Sequence, residues 1–205
     1  MGNQTPHHQQ GVGMIEILVT LFVLAIGLLG VASLQFVGSF QNRDAISRTQ
    51  AEFVAEQVAE SLRSAARPAI AGDGMVAHND YFKNTTYNFN GLSCEGSDPY
   101  LCHCLERPAS IPDCEGAQCS ESQMARYEGW ALSCAAVQTN PSTRISLGCQ
   151  DSNSADTDAC SAGSRIQITL TWPVAVSANR SYNLIARCNP LDSNTNECVF
   201  KDITL

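Results

Sequence analysis

A chain of 205 residues with a net charge of −8 and ten cysteines has room for one domain plus appendages. The acidity excludes a nucleic-acid partner: phosphate binding needs a basic face, and here Lys and Arg are scattered rather than clustered. All ten cysteines (Cys94, Cys102, Cys104, Cys114, Cys119, Cys134, Cys149, Cys160, Cys188 and Cys198) lie in the distal part of the chain, which reads as a disulfide framework formed in an oxidising compartment.

The chain begins with a short polar leader whose only basic side chains are His7 and His8. Gly11-Val12-Gly13-Met14-Ile15-Glu16 follows, then an uncharged run from Ile17 to Asn42. Residues 12–40 amount to about 43 Å of helix at 1.5 Å per residue, more than the ~30 Å hydrocarbon core, so the run can span a bilayer with some tilt. A secretory signal peptide would want a cationic start, a shorter apolar region and a small-residue cleavage site, none of which fits. A plain anchor with Glu16 at the interface explains the run but not the spacing between Gly11 and Glu16. A carboxylate at the centre of a membrane helix costs roughly 2.5–3.5 kcal/mol on insertion scales, and such residues usually have a partner. If the chain is cut after Gly11, Val12 gains a free α-amino group and Glu16 lies one helical turn away on the same face. In a low-dielectric bundle an ammonium and a carboxylate strongly favour pairing, and a neighbouring subunit's terminus is a natural partner.

Residues 11–35, GVGMIEILVTLFVLAIGLLGVASLQ, resemble the N-terminal signature of type IV pilins and pseudopilins. More narrowly, Ile26-Gly27-Leu28-Leu29-Gly30 followed by Leu34-Gln35 resembles the PilV group of minor pilins. The resemblance implies a leader, residues 1–11, removed by a prepilin peptidase after Gly11. It implies methylation of Val12 and a role for Glu16 in subunit registration. It also implies other minor pilins, the major pilin and a tip adhesin as partners, with roles in adhesion and twitching motility. The subunit would sit as a single pass in the inner membrane with a periplasmic head, then move to an extracellular pilus. This leader departs from the pattern in having no Lys or Arg, and Val12 stands where phenylalanine or methionine is commoner. A type II secretion pseudopilin or a cysteine-rich adhesive tip module remain alternatives.

Beyond the apolar run, Ile46, Phe53, Val54, Val58, Leu62 and Ala65 recur at three- and four-residue spacings. Arg48, Glu52, Glu56, Glu60 and Arg63 take other faces, and Pro68 marks the stop. This predicts one helix whose first half, residues 12–40, is apolar all round. Its second half, residues 41–67, is amphipathic and covers a head of residues 68–205. Gly27, Gly30 and Gly38 are weak points in it that suit either close helix packing or local stretching. Residues 69–123 read as a long stapled loop region with a short strand near Tyr87. Strands are predicted at 127–137 (YEGWALSCAAV), 165–172 (RIQITLTW) and 181–188 (SYNLIARC). The fold class is α+β and pilin-like: a long N-terminal helix packed on an antiparallel sheet.

Other constellations are weak. Cys102-His103-Cys104 lacks the paired spacing of closed zinc sites, so no metal is assigned. Asp192-Ser193-Asn194-Thr195-Asn196 starts like a calcium loop but has Glu197 at its sixth position and Ile203 at its twelfth. Asp151, Asn153, Asp156 and Asp158 also miss that spacing, and both stretches read as polar turns between cysteines. Hydrolase motifs and nucleotide-binding loops are absent, so no catalytic residue, enzyme activity or cofactor is assigned. His78 and His103 read as surface loop residues. Cys188–Cys198 is the disulfide pairing favoured by the short loop it would close.

Overall fold

The computed structural model describes residues 13–70, 73–174, 188 and 196–205. The chain divides into two compact units, Met1–Ala45 and Ile46–Leu205. In chain order the elements are α1 (Met14–Ser64), β1 (Arg67–Pro68), β2 (Met75–Val76), a 3₁₀ turn (Asn79–Phe82), α2 (Pro99–His103), α3 (Glu121–Thr139), β3 (Arg144–Gln150), β4 (Arg165–Pro173) and β5 (Asn196–Ile203). α1 runs through Gly27, Gly30 and Gly38 without a break.

In the first unit every described residue from Gly13 to Ser39 is exposed. Met14–Ser39 has a mean hydropathy of 2.7 over its most apolar window and is long enough to cross a membrane. Two of its polar side chains turn back onto their own helix. Thr20 Oγ1 donates to the Ile17 carbonyl at 2.9 Å and Ser33 Oγ to the Leu29 carbonyl at 2.9 Å.

In the second unit, residues 46–64 of α1 pack on a sheet of order β3-β4-β5, antiparallel throughout. The central strand alternates as its sequence predicts, burying Ile166, Ile168, Leu170 and Trp172. Leu170 stands opposite Ile145 on one side and Val199 on the other, so all three strands point one apolar face at the helices. The stripe on α1 is made of Ala51, Val54, Ala55, Val58, Ala59 and Leu62. Phe53 and Ile46 do not belong to it and are 63% and 46% exposed. Three alanines alternate in it with Val54, Val58 and Leu62. Lys201, on the helix-facing side of β5, is paired with Glu56 of α1, and Arg165 bridges Asp202 across the other face at 2.5 Å.

Three predicted features are corrected. Residues 127–137 form no strand but lie within α3. Ser120 and Gln123 build a capping box there, with the Gln123 N–H donating to Ser120 Oγ at 3.3 Å and the Ser120 N–H to Gln123 Oε1 at 2.9 Å. Ala125, Gly129, Leu132 and Ala136 are then buried at helical spacing. Tyr87 sits in no strand but leads into a turn in which Asn88 and Phe89 have φ of 61° and 60°. α1 ends at Ser64 rather than at Pro68, because Arg67 and Pro68 pair with Val76 and Met75 as β1. The predicted strand at 181–188 falls, apart from Cys188, outside the described residues, as do Asp192-Ser193-Asn194-Thr195.

The ten cysteines form five disulfides: Cys94–Cys102, Cys104–Cys134, Cys114–Cys119, Cys149–Cys160 and Cys188–Cys198. Inside the Cys149–Cys160 loop, Asp151 Oδ1 accepts from the Ser161 N–H at 3.0 Å, Ser161 Oγ at 2.6 Å and Ser164 Oγ at 3.2 Å. These bonds, led by the Ser161 hydroxyl, hold its carboxyl below the usual range. The acidic stretch is thus a turn knitted by its own polar atoms.

Candidate functional sites

The N-terminal candidate residues divide at the edge of the described chain. Gly11 and Val12 lie outside the described residues. Gly13 starts the helix through its carbonyl, which accepts from the Glu16 N–H at 2.9 Å and the Ile17 N–H at 3.4 Å. Glu16 is therefore in the first turn of α1, where the helix dipole favours an acid. It is exposed, and Ile15 and Ile17 beside it are 75% and 49% exposed. The site is a carboxylate set among apolar side chains at the head of a helix with an uncovered surface.

The head contains a second arrangement, around the Asn88–Phe89 turn. Two consecutive non-glycine residues in the left-handed region are costly, more so for a bulky aromatic, and such strain persists only where the surroundings enforce it. Here they do. The Asn88 side chain behaves like a strand partner to β3, donating from Nδ2 to the Ile145 carbonyl at 2.7 Å and accepting the Ile145 N–H at 2.8 Å. The Asn88 N–H donates to Ser133 Oγ at 2.9 Å, and that buried hydroxyl donates to the Gly129 carbonyl at 2.6 Å. Gly129 is required where α3 passes Thr86, since a Cβ there would collide with the Thr86 carbonyl.

Phe89 stacks on His103 with ring centroids 4.8 Å apart, and Trp130 Nε1 donates to the His103 carbonyl at 2.8 Å. His103 is accordingly not a surface loop residue; it is buried in α2, and burial pulls its pKa down, keeping the imidazole neutral. Its two neighbours belong to different disulfides, Cys102 to Cys94 and Cys104 to Cys134 of α3. The Cys-His-Cys run is thereby a brace holding Phe89 and Trp130. Beside them opens a cleft of about 340 Å³, lined among others by Lys83, Asn90, Ile111 and Arg126. Lys83 is paired with Asp80, which also accepts from Ser122 Oγ. Arg126 Nη2 donates to the Ser110 carbonyl at 2.9 Å, and among the described residues no carboxylate pairs with it. His78 is half-buried and accepts the Asp80 N–H at 3.2 Å through Nδ1. Among the described residues no group of three or more His, Cys, Asp or Glu side chains is placed to hold a metal ion.

Residues 6–32 match the prokaryotic N-terminal methylation motif. That motif is typical of type IV pilin-like, prepilin-family proteins. It implies processing by a prepilin peptidase and membership of a pilin-type assembly. The match ends within α1 and leaves the second unit outside it. Searches of curated proteins and of solved structures give no match.

Sequence reasoning singled out the N-terminal group because its signal is local: a glycine, an acid and an apolar run. It missed Asn88, Phe89, Gly129 and Glu128, whose roles depend on tertiary placement. Glu128 Oε2 receives hydrogen bonds from Ser61 Oγ at 2.5 Å and Tyr81 OH at 2.6 Å, tying α1 and the 3₁₀ turn to α3. The S-x-x-Q pattern at Ser120 was an available sign that a helix, rather than a strand, carries Glu128 and Gly129.

Proposed function

We propose that the protein is a minor pilin of the PilV-like kind, a structural subunit that takes part in initiating or capping a type IV pilus. The methylation-motif match over residues 6–32, at the head of an apolar helix with no buried residue in Met14–Ser39, carries this reading. In it, residues 1–11 are the leader. Residues 12–40 hold the subunit in the inner membrane and later join the filament core. The rest of α1, to Ser64, is the amphipathic half-helix, and the chain beyond it is the periplasmic, then extracellular, head. Cleavage after Gly11 creates the Val12 amine, which is methylated and stays cationic. Glu16 pairs with the terminal amine of a neighbouring subunit as the helix enters the low-dielectric bundle, where an unpaired carboxylate is costly. Other minor pilins, the major pilin and a tip adhesin are the partners this role requires.

Replacing Glu16 by alanine tests the mechanism. The variant should be cleaved at Gly11 as efficiently as the native chain, judged by mass spectrometry, yet be depleted at least tenfold from sheared filaments and retained in the membrane fraction. Normal recovery of the variant in filaments would show that the pairing does not drive assembly.

A further inference from the structure

The head invests strain and crosslinks at one place, and the reading of the N-terminus gives no reason for it. Asn88 and Phe89 are held in left-handed geometry, with the Asn88 N–H donating to Ser133 Oγ and Asn88 Oδ1 accepting the Ile145 N–H. His103, fixed between two disulfide-bonded cysteines, braces Phe89 by stacking and Trp130 by its carbonyl. The product is a pair of immobilised aromatic side chains lining a cleft of about 340 Å³, near the lower end of the size range of small-ligand sites. Preorganised aromatic groups bind at low entropic cost, which is a physical use for local strain.

The polar lining narrows the ligand class. On a chain with twenty acidic and twelve basic residues, this cleft brings two cations, Lys83 and Arg126, together with one acid, Asp80. Asp80 is already engaged by Lys83 and Ser122, whereas Arg126 has only the Ser110 carbonyl and keeps donors to spare. A guanidinium with free donors suits a carboxylate, which it can bind with two parallel hydrogen bonds. Flat aromatic surface beside it suits the C–H face of a sugar ring, and Asn90 and Ser110 offer polar atoms for hydroxyl groups. We propose that this cleft binds a carboxylate-bearing sugar, the carboxylate on Arg126 and the ring against Phe89 and Trp130. The site is independent of the pilin reading, since none of its residues belongs to the N-terminal motif.

The test uses the full-length protein in detergent micelles, titrated with 3′-sialyllactose, with a glucuronate-terminated disaccharide, and with lactose as the neutral control. Tryptophan fluorescence reports the cleft, because Trp172 is buried in the core and Trp130 lines the site. At least one acidic sugar should saturate the signal, with lactose at least tenfold weaker. Arg126→Met should weaken the acidic sugar at least tenfold while Arg126→Lys retains part of the affinity. Both variants should keep the native melting curve, since Arg126 is exposed. The proposal is overturned if neither acidic sugar saturates, if lactose binds equally, if Arg126→Met binds like the native protein, or if an acidic peptide competes better than the sugars.

Discussion

In Met14–Ser39 the apolar side chains are all exposed, with Leu24 at 58% and Leu29 at 68%, whereas in the second unit Val58, Leu62, Ile168 and Leu170 are fully buried. Leu, Ile and Val make up 13 of the 26 residues of Met14–Ser39 but only 25 of the 160 residues from Ile46 to Leu205, and it is the poorer region that supplies its own partners. The head also ties its elements together with polar bonds, such as those of Glu128 and Asp151, and closes its loops with five disulfides. The first region is long and apolar enough to cross a membrane, and the second is a body that buries its own apolar residues. A contiguous exposed apolar surface of this extent marks a membrane or protein interaction site.

This contrast can be broken by paired substitutions. Leu62→Ala removes a fully buried side chain and should cost the head about 2–5 kcal/mol, measured by denaturant unfolding of the protein in detergent. Leu24→Asn should leave head stability within about 0.5 kcal/mol while reducing membrane retention on alkaline extraction. Equal effects on head stability would mean that the two regions are not energetically separate. Within the head, Gly129→Ala forces α3 away from the Thr86 carbonyl and should cost about 1–3 kcal/mol, with the near-ultraviolet signal of Trp130 altered.

The smallest effect concerns pH. Lys83 and Ser122 hold the Asp80 carboxyl below its ordinary value of 3.8. A carboxyl depressed in the native state contributes stability above its unfolded pKa and loses it as pH falls through the native pKa. The head should therefore lose stability as pH drops below about 4, and Asp80→Asn should flatten that part of the profile. Burial and the Glu128 carboxylate raise the Tyr81 phenol, and burial raises Tyr87, so the opposite sign holds at high pH. Their contribution is complete below the ordinary tyrosine value of 10.0 and falls away above it, giving an alkaline limit to stability.

Much of the fold was legible where a signal is periodic. The 165–172 alternation became β4, and the amphipathic pattern ending near Leu62 became the packed part of α1. Phe53 misled because hydrophobicity was weighed above helical phase: the buried stripe runs through Ala51, Val54, Ala55, Val58, Ala59 and Leu62, and Phe53 lies off it. The 127–137 segment misled because its Tyr, Trp and Cys carry strand preference, while the alanines, the burial spacing and the cap favour a helix. The brace around His103 was not legible at all. The order Cys-His-Cys gives no hint that one cysteine pairs eight residues back and the other thirty residues on, or that the histidine supports two aromatic side chains far apart in sequence.

The central claim is that the N-terminal region is completed by other subunits after a cut at Gly11. Intact mass and N-terminal sequencing of the native protein test it most directly. The account predicts a chain beginning at a methylated Val12 and containing no free thiol. A mature protein that retains residues 1–11, or begins at any other position, would contradict it.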